Sequence, residues 1–395
     1  MTDRSNVLSH YRGERSLLKT RCVTICLILA ALGLAVAYDV AYSQPQTAEQ
    51  NTAFRLIQTG AEQLHKSEYR SAANSFEQAL RYNDASPEAH LGLGMAYYFQ
   101  REDRYAEREL LTVVELNPGD ATAYQWLGDL FYRKDDLDTA VMWWEKAVAL
   151  APNDAKLRTR LERVQRENKT EKDFNRDVTS HFLIKYDGRE KIEAGRIILR
   201  ILEDAYGEVG RALTFYPERE IQVILYSGKQ FQEVTEAPGW SGAIFDGKIR
   251  IPIGGIEQET PGLRKLLFHE YTHAVVGAIA PRCPTWLNEG LAQYLEGRSI
   301  DARQSEILRK MIRTEKVPFL ANLEGSFMGM GSGQAEYAYL ISLSAVRYML
   351  EEYKMYRVKM LLEELAKGAD MAKAINIGLT ISYEDFERGW KRSLE

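Results

Sequence analysis

A period of 34 residues runs through the first part of this chain. Gly60, Gly94 and Gly128 share one register, and Ala72, Ala106 and Ala140 a second. Phe76, Leu110 and Trp144 share a third, and Ala79, Val113 and Ala147 a fourth. Four registers at one spacing are not a chance recurrence of apolar residues. A repeat of this length is one helical hairpin that cannot bury its own apolar face, so neighbouring units must stack. Glycine and alanine suit positions where the two helices of a hairpin come close, and the large residues fill the gap between hairpins. Pro118 and Pro152 stop one unit and start the next. Units begin near Ala53, Pro87 and Ala121, and residues 155–169 read as a polar capping helix with Leu157, Leu161 and Val164 on one side.

The pattern resembles the tetratricopeptide repeat. The third unit matches best, through Trp126-Leu127-Gly128, Phe131, Ala140 and Pro152. The first unit departs from it, with Gln63 and Asp84 where an aromatic residue and a proline are usual. The resemblance implies an α-helical solenoid over residues 53–168 whose concave face takes a peptide or protein partner. Leu91, Met95, Tyr98 and Phe99, with Gln125, Asp129 and Arg133, are expected to line that face. A spacer or dimer surface is the alternative use.

Upstream, Arg4, Arg12, Arg15, Lys19 and Arg21 precede an uncharged run over residues 22–38, which Asp39 ends. Its 17 residues fall between a signal-peptide core and a full membrane span. The basic flank places the N-terminus in the cytoplasm and all that follows across the membrane. Residues 1–43 are therefore expected to be a signal anchor or a signal peptide, since Ala35-Val36-Ala37 and Ala41-Tyr42-Ser43 both offer cleavage sites. The rest is then membrane-anchored and extracytoplasmic (periplasmic or extracellular), or secreted if cleaved. A polar linker, residues 44–52, follows. Cys22 and Cys26 lie in the apolar run, so Cys283 stands alone beyond it and no disulfide framework is available there. A formal net charge of −5 gives no reason to expect a nucleic-acid partner.

A different pattern starts near Ser180. Residues 181–186 alternate as a strand does, 191–213 have helical periodicity, and 220–226 form a second strand rich in branched residues. Residues 242–253 read as a hairpin turning at Asp246-Gly247, and Pro252 in its second half predicts an edge strand. After Pro261 the pattern is almost wholly helical. The expected architecture is α+β, a small mixed sheet followed by a helical body over residues 175–395.

Residues 263–280 carry His269-Glu270-Tyr271-Thr272-His273. Two of the chain's six histidines stand four apart, so a helix puts both on one face, where they can bind one metal ion. A glutamate beside the first can act as a base toward a water on that metal. Zinc needs a third protein ligand and one open position. Glu289, in Trp286-Leu287-Asn288-Glu289-Gly290-Leu291-Ala292, follows His273 by 16 residues, room for a loop at Pro281 and Pro284 and a second helix running back. Gly290 lets those helices pack closely. Asn288, Gln293 and Glu296 are candidates to hold the histidines' other ring nitrogens. Cys283 as a further ligand is the weaker reading beside a small apolar residue.

The two segments together resemble the gluzincin metallopeptidases (peptidase MA-like), in particular aminopeptidase-like catalytic domains. The resemblance covers about residues 180–395 and implies Zn2+ held by His269, His273 and Glu289, with Glu270 as general base. It also implies a later helix bearing a tyrosine hydroxyl toward the metal. By register within residues 338–348 that is Tyr339, with Tyr337 two residues away left open. Residues 383–394, with Phe386 and Trp390, look like the closing helix of such domains. True aminopeptidases carry a glycine-rich, acid-containing strand that holds the substrate's free amine. Residues 240–253 show no such motif, and Asp246 is a poor substitute, so an endopeptidase is expected. The peptide would lie along the strand over residues 248–253. The resulting expectation is an exported or membrane-associated zinc peptidase with repeats that bind partners or substrates. The alternatives are a non-catalytic scaffold or assembly factor of the cell envelope, and a peptidase acting mainly in quality control.

Overall fold

The computed structural model describes residues 48–188, 192–235, 243–254, 256–314, 316–327 and 330–395. The apolar run 22–38 and its basic flank lie outside the described residues. Among the described residues no helix is long and apolar enough to cross a membrane. The chain divides into two compact units, residues 1–165 and 166–395.

The first unit consists of helix pairs at the spacing of the repeat. Ala48–His65 pairs with Tyr69–Leu80, Pro87–Phe99 with Asp103–Leu116, and Ala121–Arg133 with Leu137–Leu150. The first helix begins inside the segment that reads as linker. The Ser86 hydroxyl caps one unit by accepting from the Ala89 amide, with Pro87 in the first turn. The Asp120 carboxylate caps the next by accepting from the amides of Thr122 and Ala123. Between the helices of each pair stands one left-handed residue, Ser67, Arg101 or Asp135, with φ of 61°, 64° and 62°. The repeat therefore recurs in the backbone as well as in the side chains.

The glycine register and the large-residue register meet each other directly. A Cβ on Gly60 would run into the Phe76 ring, one on Gly94 into Leu110, and one on Gly128 into the Trp144 indole. All three large partners are fully buried. Leu157, Leu161 and Val164 of helix Ala155–Glu171 bury their side chains beside Trp144 and Ala147.

The expected lining of the concave face needs correction. Leu91 and Met95 are buried in the repeat core. The Asp129 carboxylate accepts from the Trp144 indole N–H at 3.1 Å and pairs with Arg160 at 2.8 Å. The Arg133 guanidinium lies over the Tyr98 ring, 3.7 Å from its centroid, and pairs with Asp103. Of the seven residues, only Phe99 is well exposed, at 40%. It sits in an aromatic group with Tyr69, Tyr98 and Trp126. Positions 91 and 95 share the repeat core with Ala61 and Leu64 of the preceding unit and Ala123 and Leu127 of the following one.

The second unit is built on a five-stranded mixed sheet followed by helices. Its strands are β1 (Asn175–Val178), β2 (Phe182–Tyr186), β3 (Ile221–Tyr226), β4 (Ile244–Phe245) and β5 (Ile249–Pro252), in the order β1-β2-β3-β5-β4. β2, β3 and β5 run parallel, and the outer two strands are antiparallel to their neighbours. Pro252 does not mark an edge. β5 is flanked by β3 on one side and β4 on the other, and β4 is the outer strand. The proline is tolerated because β4 pairs only with Ile249 and Arg250, so no partner for residue 252 stands on that side in β4. On the β3 side, the Ile253 amide donates to the Tyr226 carbonyl at 2.8 Å.

Alternation gives the sheet two different faces. Phe182, Ile184, Val223, Leu225, Ile249 and Ile251 join the main core with helices Ile192–Leu213 and Pro261–Ile279. The opposite face carries Lys185, Tyr226, Lys248 and Arg250, all buried. Their partners are Glu167 and Glu171, from the end of helix Ala155–Glu171 that belongs to this unit. Lys185 meets Glu171 at 2.8 Å, Lys248 meets Glu167 at 2.8 Å, and Arg250 reaches Glu167 at 3.0 Å and Glu171 at 3.4 Å. The Arg250 guanidinium also donates to the Tyr226 hydroxyl, which donates to Glu171.

Candidate metal centre

Helix Pro261–Ile279 begins on Thr260, whose hydroxyl accepts from the Leu263 amide at 3.1 Å, with Pro261 in the first turn. Leu267, Phe268, Tyr271 and Val275 anchor it in the core. Four-residue spacing then aims His269 and His273 the same way. The helix ends at Ala280, and the loop through Pro281 and Pro284 turns into helix Thr285–Leu295, which carries Glu289.

These elements bring three donor atoms to one point. Nε2 of His269 and Nε2 of His273 are 3.1 Å apart. Oε2 of Glu289 is 3.4 Å from the first and 3.5 Å from the second. A tetrahedral zinc with bonds of about 2.0–2.1 Å spaces neighbouring ligands about 3.3–3.4 Å apart, so this triangle has the size such an ion requires. Oε2 of Glu289 is also a buried acceptor with no hydrogen-bond partner among the described residues. Such an orphan is costly unless something else fills its place. The donor set therefore fits zinc.

The other nitrogen of each ring is held. Nδ1 of His269 lies 2.7 Å from Glu296 and Nδ1 of His273 lies 3.0 Å from Asn288. Each contact turns Nε2 toward the shared point. Burial lowers the His269 pKa, but the neighbouring carboxylates of Glu289 and Glu296 outweigh it and bring the ring to about 10. Burial pushes the Glu289 carboxyl up, and the two imidazoles overcome it and pull the group to about 2. The centre thus favours a positive charge among its carboxylates. Glu270 is 5% exposed, and burial raises its pKa above the usual carboxylate value.

Comparison with known proteins agrees with this geometry. Residues 209–395 match the peptidase MA superfamily, and residues 63–130 match the tetratricopeptide repeat. Residues 209–395 are a peptidase MA superfamily domain. Over 93 residues the chain is 31% identical to the BBSome complex member BBS4 of Bos taurus, a stretch that is 24% of this chain and 18% of that protein. The chain thus spans less than a fifth of that relative. Two solved structures are also similar. One is the first tetratricopeptide domain of Spaghetti (RPAP3) bound to the HSP90 peptide SRMEEVD, at 19% identity and a TM-score of 0.29, covering 30% of this chain and 95% of that one. The other is the first such domain of human RPAP3, at 19% identity and a TM-score of 0.30, covering 31% and 95%.

In the peptidase MA domain, helix Ser332–Ala366 packs against the Glu289 helix. Tyr339 is partly buried beside it, with the Phe327 ring edge-on at 5.5 Å. Burial and then the charges of Glu289 and Glu270 raise the Tyr339 hydroxyl to about 12. Tyr337 instead is 45% exposed. Tyr339 is thus the more buried of the two tyrosines. Gln293 donates to main-chain carbonyls, whereas Asn288 and Glu296 face the histidines. Asp246 pairs with Arg250 at 3.0 Å, and Cys283, its thiol pKa raised by burial, is not among the converging donors. Phe327 carries no sequence signal that marks it for the site.

Gly290 is where the peptidase domain's two helices touch. A Cβ there would stand 2.5 Å from the Ser342 carbonyl oxygen and 2.5 Å from Val346 Cγ2. A main-chain carbonyl cannot yield as a side chain can, so Gly290→Ala must separate the helices and drag Glu289 with them. We expect this variant to lose about 1–3 kcal/mol of stability and to bind zinc at least about tenfold more weakly. Chemical denaturation and a zinc competition titration measure the two effects, and wild-type values in both would refute the close-packing account.

Proposed function

We propose that the protein is a zinc-dependent endopeptidase whose repeats bind protein partners or substrates. The triangle formed by His269, His273 and Glu289 carries the reading. A zinc ion held there would supply a Lewis acid and a water acidic enough to react near neutral pH. Glu270 takes one proton from the attacking water as its oxygen bonds to the peptide carbonyl carbon. The raised pKa of Glu270 suits it to give that proton to the leaving nitrogen as the C–N bond breaks. The Tyr339 hydroxyl, protonated throughout the physiological range, donates to the carbonyl oxygen as it gains negative charge.

The extended substrate would pair with the outer strand of the sheet, which is β4 and not β5. Internal cleavage is supported by the lack of an amine-binding motif in the sequence and by the engagement of Asp246 with Arg250. The basic flank and apolar run over residues 1–43 support work outside the cytoplasm, with the protein anchored or released. The period of the repeats supports partner binding, as such stacks generally present a long open surface.

Metal analysis tests the proposal. Purified full-length protein should contain about one zinc per chain, lose it to a chelator, and regain it with peptide-hydrolysing activity on zinc addition. A protein that takes up no zinc in equilibrium dialysis is not this enzyme.

A further inference from the structure

Two helices supply the ligand Glu289 and the hydroxyl of Tyr339, and their alignment decides whether both can act on one carbonyl. Gln293 stands between them. It is 1% exposed and lies one turn beyond Glu289. Its side-chain Nε2 donates to the Glu289 carbonyl in its own helix at 3.2 Å and to the Tyr339 carbonyl in the facing helix at 2.9 Å. The Gly290 contact with Ser342 sets how closely the helices approach, but a steric contact does not by itself prevent sliding along the axis. A directed hydrogen bond to one named carbonyl does.

We propose that Gln293 is a positioning residue: its buried amide locks the Tyr339 turn of one helix to the Glu289 turn of the other and so holds the tyrosine hydroxyl at a set place beside the metal-ligating triangle. The inference rests on the hydrolytic reading for its catalytic consequence, and on the geometry alone for the placement. The two carbonyls keep their ordinary helical partners four residues on, so losing the amide leaves no main-chain group without a hydrogen bond. Gln293→Met, which has the same length and no donor, should therefore fold.

The test places 3-fluorotyrosine at position 339 alone in the full-length chain and compares its fluorine resonance with and without Gln293→Met. The resonance should move or split, and an unmoved line overturns the proposal whether or not the protein hydrolyses peptides. In the unlabelled enzyme, Gln293→Met should lower kcat about tenfold with KM within about twofold and zinc content unchanged. In a Tyr339→Phe background the same change should alter kcat by less than about twofold, because the group it positions is gone. Losses that multiply in the double variant, or a fall in zinc content that tracks kcat, would assign Gln293 a general structural role. A parent protein with neither zinc nor hydrolysis would reject the peptidase reading, while the fluorine line would still decide the placement.

Discussion

Glu270→Gln is expected to keep its zinc and to lose about a thousandfold or more in peptide hydrolysis. The substitution is isosteric, and Glu270 is not one of the three converging donors, so the metal-binding triangle should survive. What disappears is the ability to accept a proton. A buried amide cannot take one from water, and the two other carboxylates that contact His269 are already engaged. Glu289 belongs to the triangle and Glu296 is bound to His269. The pH dependence adds a second readout. Burial raises the Glu270 pKa and disfavours the ionised base, so the acid limb of kcat/KM should lie above the ordinary carboxylate range. That limb should be missing from whatever activity the variant retains. Metal analysis beside a quenched-peptide assay decides the matter, and activity within tenfold of wild type would remove Glu270 from the role of base.

A fragment of residues 175–395 is expected not to fold, whereas a fragment starting at residue 155 should. The shorter piece lacks Glu167 and Glu171 and so loses their ion pairs with Lys185, Lys248 and Arg250, which are buried against the sheet. Breaking a buried pair on one side typically costs about 3–5 kcal/mol, and here several pairs go at once, against a total stability of about 5–15 kcal/mol. The single change Glu167→Ala in the full chain should cost about 3–5 kcal/mol by urea denaturation. Burial pushes the Glu167 carboxyl up, but Arg250 and Lys248 overcome it and hold the pKa below the ordinary 4.5. A lowered pKa in the folded state means that its stabilisation is complete above pH 4.5 and is lost as pH falls below that value. Glu167→Gln should therefore flatten the acid limb of the stability curve. A fully folded 175–395 fragment, or an unchanged acid limb, would show that the cluster contributes little.

Much of this architecture is legible in the sequence, and the rest is hidden for identifiable reasons. The repeats are visible because each register demands one residue size, as Gly128 does against Trp144. The histidine pair of the candidate metal centre is visible because helix geometry turns a spacing of four into a shared direction. The charged cluster is not visible. Lys185, Lys248 and Arg250 look like the solvent-facing residues of alternating strands, and their partners are up to 83 residues away in a helix that reads as a cap. Pro252 misleads for a related reason: a proline reports a missing donor on one side of a strand, but not whether the neighbour on that side is absent or merely short. Leu91 and Met95 read as open because a period gives a helix its faces without saying how many neighbours cover them. For Gln293 the sequence indicated proximity to the site but not the atom it serves.

The lengths of the outer strands bear on how the folded protein survives near its own substrates. β1 has four residues and carries Arg176 and Asp177, and β4 has two. An enzyme that captures extended chains by strand addition exposes the kind of edge on which fibrils grow. An outer strand of two residues offers few main-chain groups to a passing peptide or to a growing sheet. On the proposed strand addition at β4, the brevity that limits how tightly a substrate is held would also limit coaggregation with it.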